Sequence, residues 1–207
     1  MTNWWGRIAA LAALSLAACA SSVPQRSGEW IDPALGPNSG ILRGDKVLAT
    51  CEAWDLSMRQ NCQAWLFQQL QARGANPVEP PSAASAASGA ELDRLLVADA
   101  TSVGARTVLV VALTPAVTGS GFSGASIGIG GFSWGSSGGA GIGLSAPIGG
   151  TGWGSTGFAA QARLTDVRND RLVWSTSFVA SPSSDLGTQV RSLTASVLNA
   201  AQGAGLL

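Results

Sequence analysis

The sequence predicts an α+β fold: a mixed sheet with helices packed on one face, plus a long glycine-rich hairpin insert. Three observations carry that expectation. The period of the apolar residues switches between two and nearly four, in the order strand, helix, strand, helix, strand, strand, strand, helix. The run Thr107-Val108-Leu109-Val110-Val111-Ala112-Leu113 is short, β-branched and continuous, which suits a central strand covered on both faces better than a buried helix. Residues 45–207 are long enough for a single domain with a real core.

The chain opens on a segment with a different purpose. Arg7 heads an apolar stretch that reaches Ala18, too short to cross about 30 Å of hydrocarbon as a helix but suited to the core of a secretion signal. Residues 1–18 are therefore expected to be a signal peptide. Leu16-Ala17-Ala18-Cys19 resembles the lipobox of bacterial lipoproteins. That resemblance implies lipid on Cys19, which would become the new N-terminus and carry several acyl chains, enough for durable anchoring. Ala20 and Ser21 follow, with no Asp beside the cysteine. By resemblance to sorted lipoproteins this implies the outer membrane, with the domain facing the periplasm.

Residues 19–44 hold Pro24, Pro33, Gly36, Pro37, Asn38 and Gly40 with little periodicity, so they read as anchor and flexible tether. Trp30-Ile31 is the apolar exception and is expected to pack on the domain. Lys46–Thr50 reads as the first strand. Ser57-Met58-Arg59-Gln60 matches a capping box, and Met58, Cys62, Leu66 and Leu70 then line one face of a helix that Gly74 ends. Asn76–Glu79 reads as a short strand, and Ser82–Ser88 as a flexible connection. Ser88 and Glu91 form a second capping box before a helix marked by Leu92, Leu95, Leu96 and Val103 and closed by Gly104.

After the valine strand the composition changes. From Thr107 to Ala162 no residue is charged, and glycine dominates residues 119–157. Ile127 and Ile129 alternate with glycine, as do Ile142 and Leu144, which suggests a long hairpin with one apolar face. Together with Phe132 and Trp134 these residues form a candidate interaction hairpin. Its two alternating stretches, of about nine residues each, are also close to the length of a tilted membrane strand. Phe158, Ala160, Ala162 and Leu164 alternate into the next strand, Arg168–Arg171 turns, and Leu172, Trp174, Thr176 and Phe178 return. A last helix begins near Ser184 or Asp185, with Leu186, Val190, Leu193, Val197 and Ala201 as its buried stripe.

Composition narrows the chemistry. Twelve basic and twelve acidic residues balance, which argues against a nucleic-acid partner. There is no histidine, so Ser-His and Cys-His catalysis and most zinc sites fall away, and no metal or cofactor is expected. Cys51 and Cys62 form an even pair, read as a disulfide in an oxidising periplasm, with two buried free thiols as the alternative. Gly119-Ser120-Gly121-Phe122-Ser123-Gly124 fits a dinucleotide fingerprint, yet no helix and no ribose-binding acid follow. Gly131-Phe132-Ser133-Trp134-Gly135 fits a nucleophile elbow without a base. Glu52, Asp55, Glu91, Asp93, Asp99, Asp166, Asp170 and Asp185 read mostly as caps, turns and solvated charge. Trp54, Trp65 and Trp174 read as core anchors.

The strand–helix order, Leu164-Thr165-Asp166-Val167 and Leu172-Val173-Trp174-Ser175 resemble the periplasmic domain at the N-terminus of TolB. Similar domains occur in outer-membrane lipoproteins, including the curli secretion channel family and penicillin-binding-protein activators. The glycine-rich insert departs from the compact TolB-like domain. The resemblance implies a non-enzymatic interaction or assembly module with an envelope protein partner. The alternatives are an oligomeric export or pore component, with the hairpin in the membrane, and a small envelope hydrolase.

Overall fold

The computed structural model describes residues 23–81, 89–116 and 157–207. Among these residues the chain forms β1 (Gln25–Ile31), β2 (Lys46–Ala53), α1 (Leu56–Ala72), β3 (Asn76–Val78), α2 (Gly89–Val103), β4 (Thr107–Ala116), β5 (Gly157–Asp166), β6 (Arg171–Val179) and α3 (Leu186–Gly203). The strands make one mixed sheet in the order β1-β6-β5-β4-β2-β3. β2 runs parallel to both β3 and β4, and the other neighbours are antiparallel. The α+β class and the mixed sheet follow the sequence expectation.

The helices divide between the two faces instead of sharing one. Val47, Ala49 and Cys51 of β2 pack with α1 and α3, whereas Leu48 packs with Leu92, Leu96 and Ala100 of α2. The connections explain this. α1 carries the chain from β2 out to β3, and α2 carries it back across β2 to β4. Right-handed crossovers that step in opposite directions along a sheet place their helices on opposite faces. The valine strand anticipates the result: Val108 and Val110 face α2, while Leu109 and Val111 face the larger core.

The tether expected over residues 19–44 is mostly folded where it is described. β1 pairs along β6, from Gln25 opposite Val179 to Ile31 opposite Trp174. Its sequence lacks clean apolar alternation because an edge strand is held chiefly by backbone pairing on one side. Asp32 caps the short turn Pro33–Leu35, accepting a hydrogen bond from the Ala34 amide at 2.8 Å. Ile41 and Leu42 are then fully buried. The Gly40 and Leu42 amides donate to the Gly205 and Leu206 carbonyls, closing this segment against the end of α3. Gly205 is needed there: its φ is +72°, and a Cβ would lie 2.6 Å from the Asn38 backbone. Trp30 is half-buried on the domain.

Two helix starts are capped by aspartates. Asp55 accepts from the Met58 amide at 2.8 Å, so the cap of α1 lies two residues before the expected Ser57, whose hydroxyl donates to Asp55. Aspartate is as strong an N-cap as serine and wins when it stands two positions earlier. Asp185 does the same for α3 through the Thr188 amide at 2.9 Å. Ser88 lies outside the described residues. Gly74, at φ +83°, ends the turn after α1.

Candidate functional site

Successive residues of a strand point to opposite faces, so Cys51 and Glu52 of β2 organise different sides of the sheet. On the larger core side, Cys51 is joined to Cys62 of α1 by a disulfide, Cα to Cα 6.0 Å. β3 pairs with β2 only as far as Leu48, which leaves the upper part of that edge without a strand. Gln63 fills the gap. Its side-chain nitrogen donates to the Ala49 carbonyl at 2.9 Å, and its oxygen accepts from the Cys51 amide at 2.8 Å. One turn of α1 therefore closes the β2 edge both covalently and by hydrogen bonds.

On the other side, three charged groups converge. Glu52 lies opposite Ala112 of β4, and Arg163 of β5 lies opposite Val110, so both sit on the same face within two residue levels. α2 brings Asp93 down onto them. The Arg163 Nη2 donates to Glu52 Oε1 at 2.5 Å and to Asp93 Oδ1 at 2.6 Å, and its Nε donates to Asp93 Oδ1 at 3.0 Å. The Asp93 side chain is 3% exposed and that of Glu52 is 25% exposed. The cluster thus runs from a buried acid, through one guanidinium, to a partly wetted acid.

Burial dominates the Asp93 carboxyl and pushes it up to about 6, although the charge and hydrogen bonds of Arg163 pull the other way. Glu52 adds to the upward push because one cation serves two carboxylates. Burial also works against the Arg163 charge, yet Glu52 and Asp93 together hold the guanidinium above its ordinary value. Two convergent carboxylates in an open cleft would favour the hydrolase alternative. These two meet on a shared arginine under a helix instead, where their oxygens accept hydrogen bonds that tie α2 to the sheet.

Cys51 and Cys62 are the predicted site residues that the structure brings together. Cys19, Ile127, Ile129, Phe132, Trp134, Ile142 and Leu144 lie outside the described residues. Asp55 and Asp185 are caps, and Asp166 accepts from Arg168. Asp93 departs from the expectation of solvated charge. Its signal was Arg163, a cation in the interior of a strand whose other charge, Asp166, stands at the very end, so that some other element is obliged to supply an acid. Trp174 is fully buried, donating to Glu29 at 3.1 Å, and Trp65 is half-buried with Arg191 over its ring. Trp54 is 73% exposed, so it is no core anchor. It falls after the last residue of β2, where the pleat no longer directs its side chain inward.

Among the described residues no group of His, Cys, Asp or Glu could hold a metal ion, and no helix is long and apolar enough to cross a membrane. No family model matches the chain, and no curated protein does. Solved structures similar to it include the PelC dodecamer from Paraburkholderia phytofirmans, at 19% identity and TM-score 0.48, covering 84% of this chain and 94% of that one. A single-substitution variant of that dodecamer gives 18% and 0.47, covering 84% and 95%. Lipoprotein GNA1162 from Neisseria meningitidis gives 18% and 0.38, covering 75% and 99%. Likenesses this distant decide neither family nor activity.

Proposed function

We propose that this chain is a lipid-anchored outer-membrane lipoprotein, facing the periplasm, that serves as a non-enzymatic interaction or assembly module of the cell envelope. The observation that carries the reading is the sequence Leu16-Ala17-Ala18-Cys19 standing six residues before the first strand of a folded domain. A lipid on Cys19 would hold that domain close to the bilayer, with only a short connection between them. Two features support the reading, the first bearing on role and the second on compartment. The convergent acids Glu52 and Asp93 are engaged by Arg163, and the Cys51–Cys62 disulfide suits an oxidising compartment.

Cys19→Ala is the direct test, followed by fractionation of the envelope. The expected result is an unprocessed or soluble protein that no longer sediments with outer membranes. Normal outer-membrane fractionation of that variant would overturn the anchor. Crosslinking in intact envelopes, followed by purification of the parent protein, would then identify the partner.

A second reading is favoured by the absence of charge from Thr107 to Ala162. In it, hairpins bearing Ile127, Ile129, Phe132, Trp134, Ile142 and Leu144 from several copies would line up in the membrane as a closed barrel, forming an export pore. Combining Ile129→Asp with Leu144→Asp would place charge on its lipid face and should abolish assembly or conductance. An unchanged oligomeric state and unchanged conductance would end that reading.

A further inference from the structure

One end of the sheet collects apolar side chains that the core does not use. Pairing places Ala53, Leu113, Ala160, Phe178 and Arg26 in a single row across β2, β4, β5, β6 and β1. Trp54 lies immediately beyond this row. Val23, two residues before β1, lies beyond it as well, because Gln25 pairs with Val179 on the far side of Phe178. α1 and α3 both start at this end and descend side by side. Cys62 approaches Thr194 at 4.0 Å, Arg191 lies 5.4 Å over the Trp65 ring, and Arg73 bonds Asn199 at 2.9 Å. That register sets their first residues, Leu56 and Leu186, at the same level.

These residues are open to solvent: Trp54 is 73% exposed, Val23 73%, Leu56 57% and Leu186 46%. The opposite end is polar and charged with both signs: Arg43, Lys46, Arg106, Arg168 and Arg171 stand among Asp32, Asp45, Asp166 and Asp170 where β2, β4 and the β5–β6 turn meet solvent, and Arg106, Arg168 and Arg171 pair with Asp45, Asp166 and Asp32. The chain also enters at the apolar end. Cys19 precedes Gln25 by six residues, a reach of at most about 20 Å when fully extended. A lipid on Cys19 would bring this end, and not the charged one, against the bilayer.

We propose that the end bearing Trp54, Leu56 and Leu186 is a bilayer-docking surface that seats the domain on the headgroup layer. This rests on the lipid-anchor reading above and adds an orientation to it. Tryptophan suits the boundary because its ring is apolar while its N–H can stay hydrated. The charges beside it are of both signs: Asp55, Arg59, Asp185, Arg191 and the Arg26–Glu29 pair. Docking therefore works by apolar insertion and needs no anionic lipid, unlike a polybasic surface.

The test uses the full chain, purified with its N-terminal segment and reconstituted on phosphatidylcholine vesicles with or without brominated acyl chains. Subtracting the emission of Trp54→Phe from that of the parent isolates the Trp54 signal. Since Trp54 is exposed, the variant should keep its fold, which thermal unfolding checks. The expected result is a difference spectrum that loses most of its intensity on brominated lipid, whereas the Trp65→Phe difference does not. Cys19→Ala, tested in parallel for co-sedimentation, separates the two readings. If sedimentation depends on Cys19 but the Trp54 signal is indifferent to bromine, the anchor stands and the docking surface is overturned, leaving this end to a protein partner. If the parent does not sediment with vesicles, both readings fall. If Cys19→Ala still sediments and Trp54 is quenched, docking stands without the anchor.

Discussion

The two faces of the sheet are closed by different physics, although both depend on neighbouring residues of β2. On the Cys51 side, apolar side chains of α1 and α3 bury a continuous core that a disulfide pins. On the Glu52 side, the smaller apolar cluster under α2 ends at Arg163, Glu52 and Asp93. Apolar burial is forgiving, because one aliphatic side chain substitutes for another at modest cost. A buried ion cluster is not: it adds little net stability when complete, yet losing one member strands a charge. The α2 face should therefore be the more brittle, and the following measurements break or sharpen that contrast.

The largest effect is expected from Arg163→Met, which leaves Asp93 buried without its cation. Urea unfolding at pH 7 should show a loss of about 3–5 kcal/mol. Adding Asp93→Leu should restore most of it, because the apolar pair no longer carries a stranded charge. If the double variant is as unstable as the single one, packing and not charge controls this face.

Next in size is the pH dependence. The Asp93 carboxyl titrates near 3.8 when unfolded and at about 6 when folded. Between these values the native state binds more protons, so stability is fully present below the unfolded value and falls as pH rises toward 6. At about 1.4 kcal/mol per unit, the fall totals roughly 3 kcal/mol. Asp55, Asp166 and Asp185 act in the opposite sense. Hydrogen bonds from Ser57, Arg168 and Thr188 respectively lower them, so their contribution is present above 3.8 and drains as pH falls below it. Stability should thus peak near pH 4. Asp93→Asn should flatten the slope between pH 4 and 6 while keeping the acid loss. A parent curve already flat there would mean that pairing with Arg163 outweighs burial.

On the other face, replacing both cysteines by alanine should cost about 2–3 kcal/mol, from the loop closed over a separation of 11 residues. The variant should remain folded and its pH profile should be unchanged, since no titrating group is involved. The smallest effect is expected from Gln63→Ala, which frees the Ala49 carbonyl and the Cys51 amide. Thermal or urea unfolding should register about 1–2 kcal/mol. A larger loss than that from removing the disulfide would show that the edge, and not the crosslink, holds α1 in place.

Much of the fold was legible because its signals are local. Period-two alternation marked β5 and β6, spacing near four marked α1 and α3, and Gly74 and Gly104 marked two helix ends. The Cys51–Cys62 pairing was readable because both residues fall at the junction of one strand and one helix. β1 was illegible: an edge strand with the sequence Gln25-Arg26-Ser27-Gly28-Glu29-Trp30-Ile31 carries no periodic signature, and what places it is its pairing with β6, distant in the chain. The split of the helices between faces was equally hidden, since it depends on β3 lying outside β2 and β4 lying inside it.

By itself, the sequence determined the class of fold, the strands β2 to β6, the apolar stripe of each helix and the lipobox-like segment ending at Cys19, because each is written in spacing or in a contiguous motif. Tertiary structure alone decided that Glu52, Asp93 and Arg163 meet, 41 and 70 positions apart along the chain. It also decided that Trp54 points to water while Trp174 is sealed inside. The reason is common to both outcomes. An ion pair or an exposed ring is defined by what lies across space from it, and only strand order and helix placement determine that.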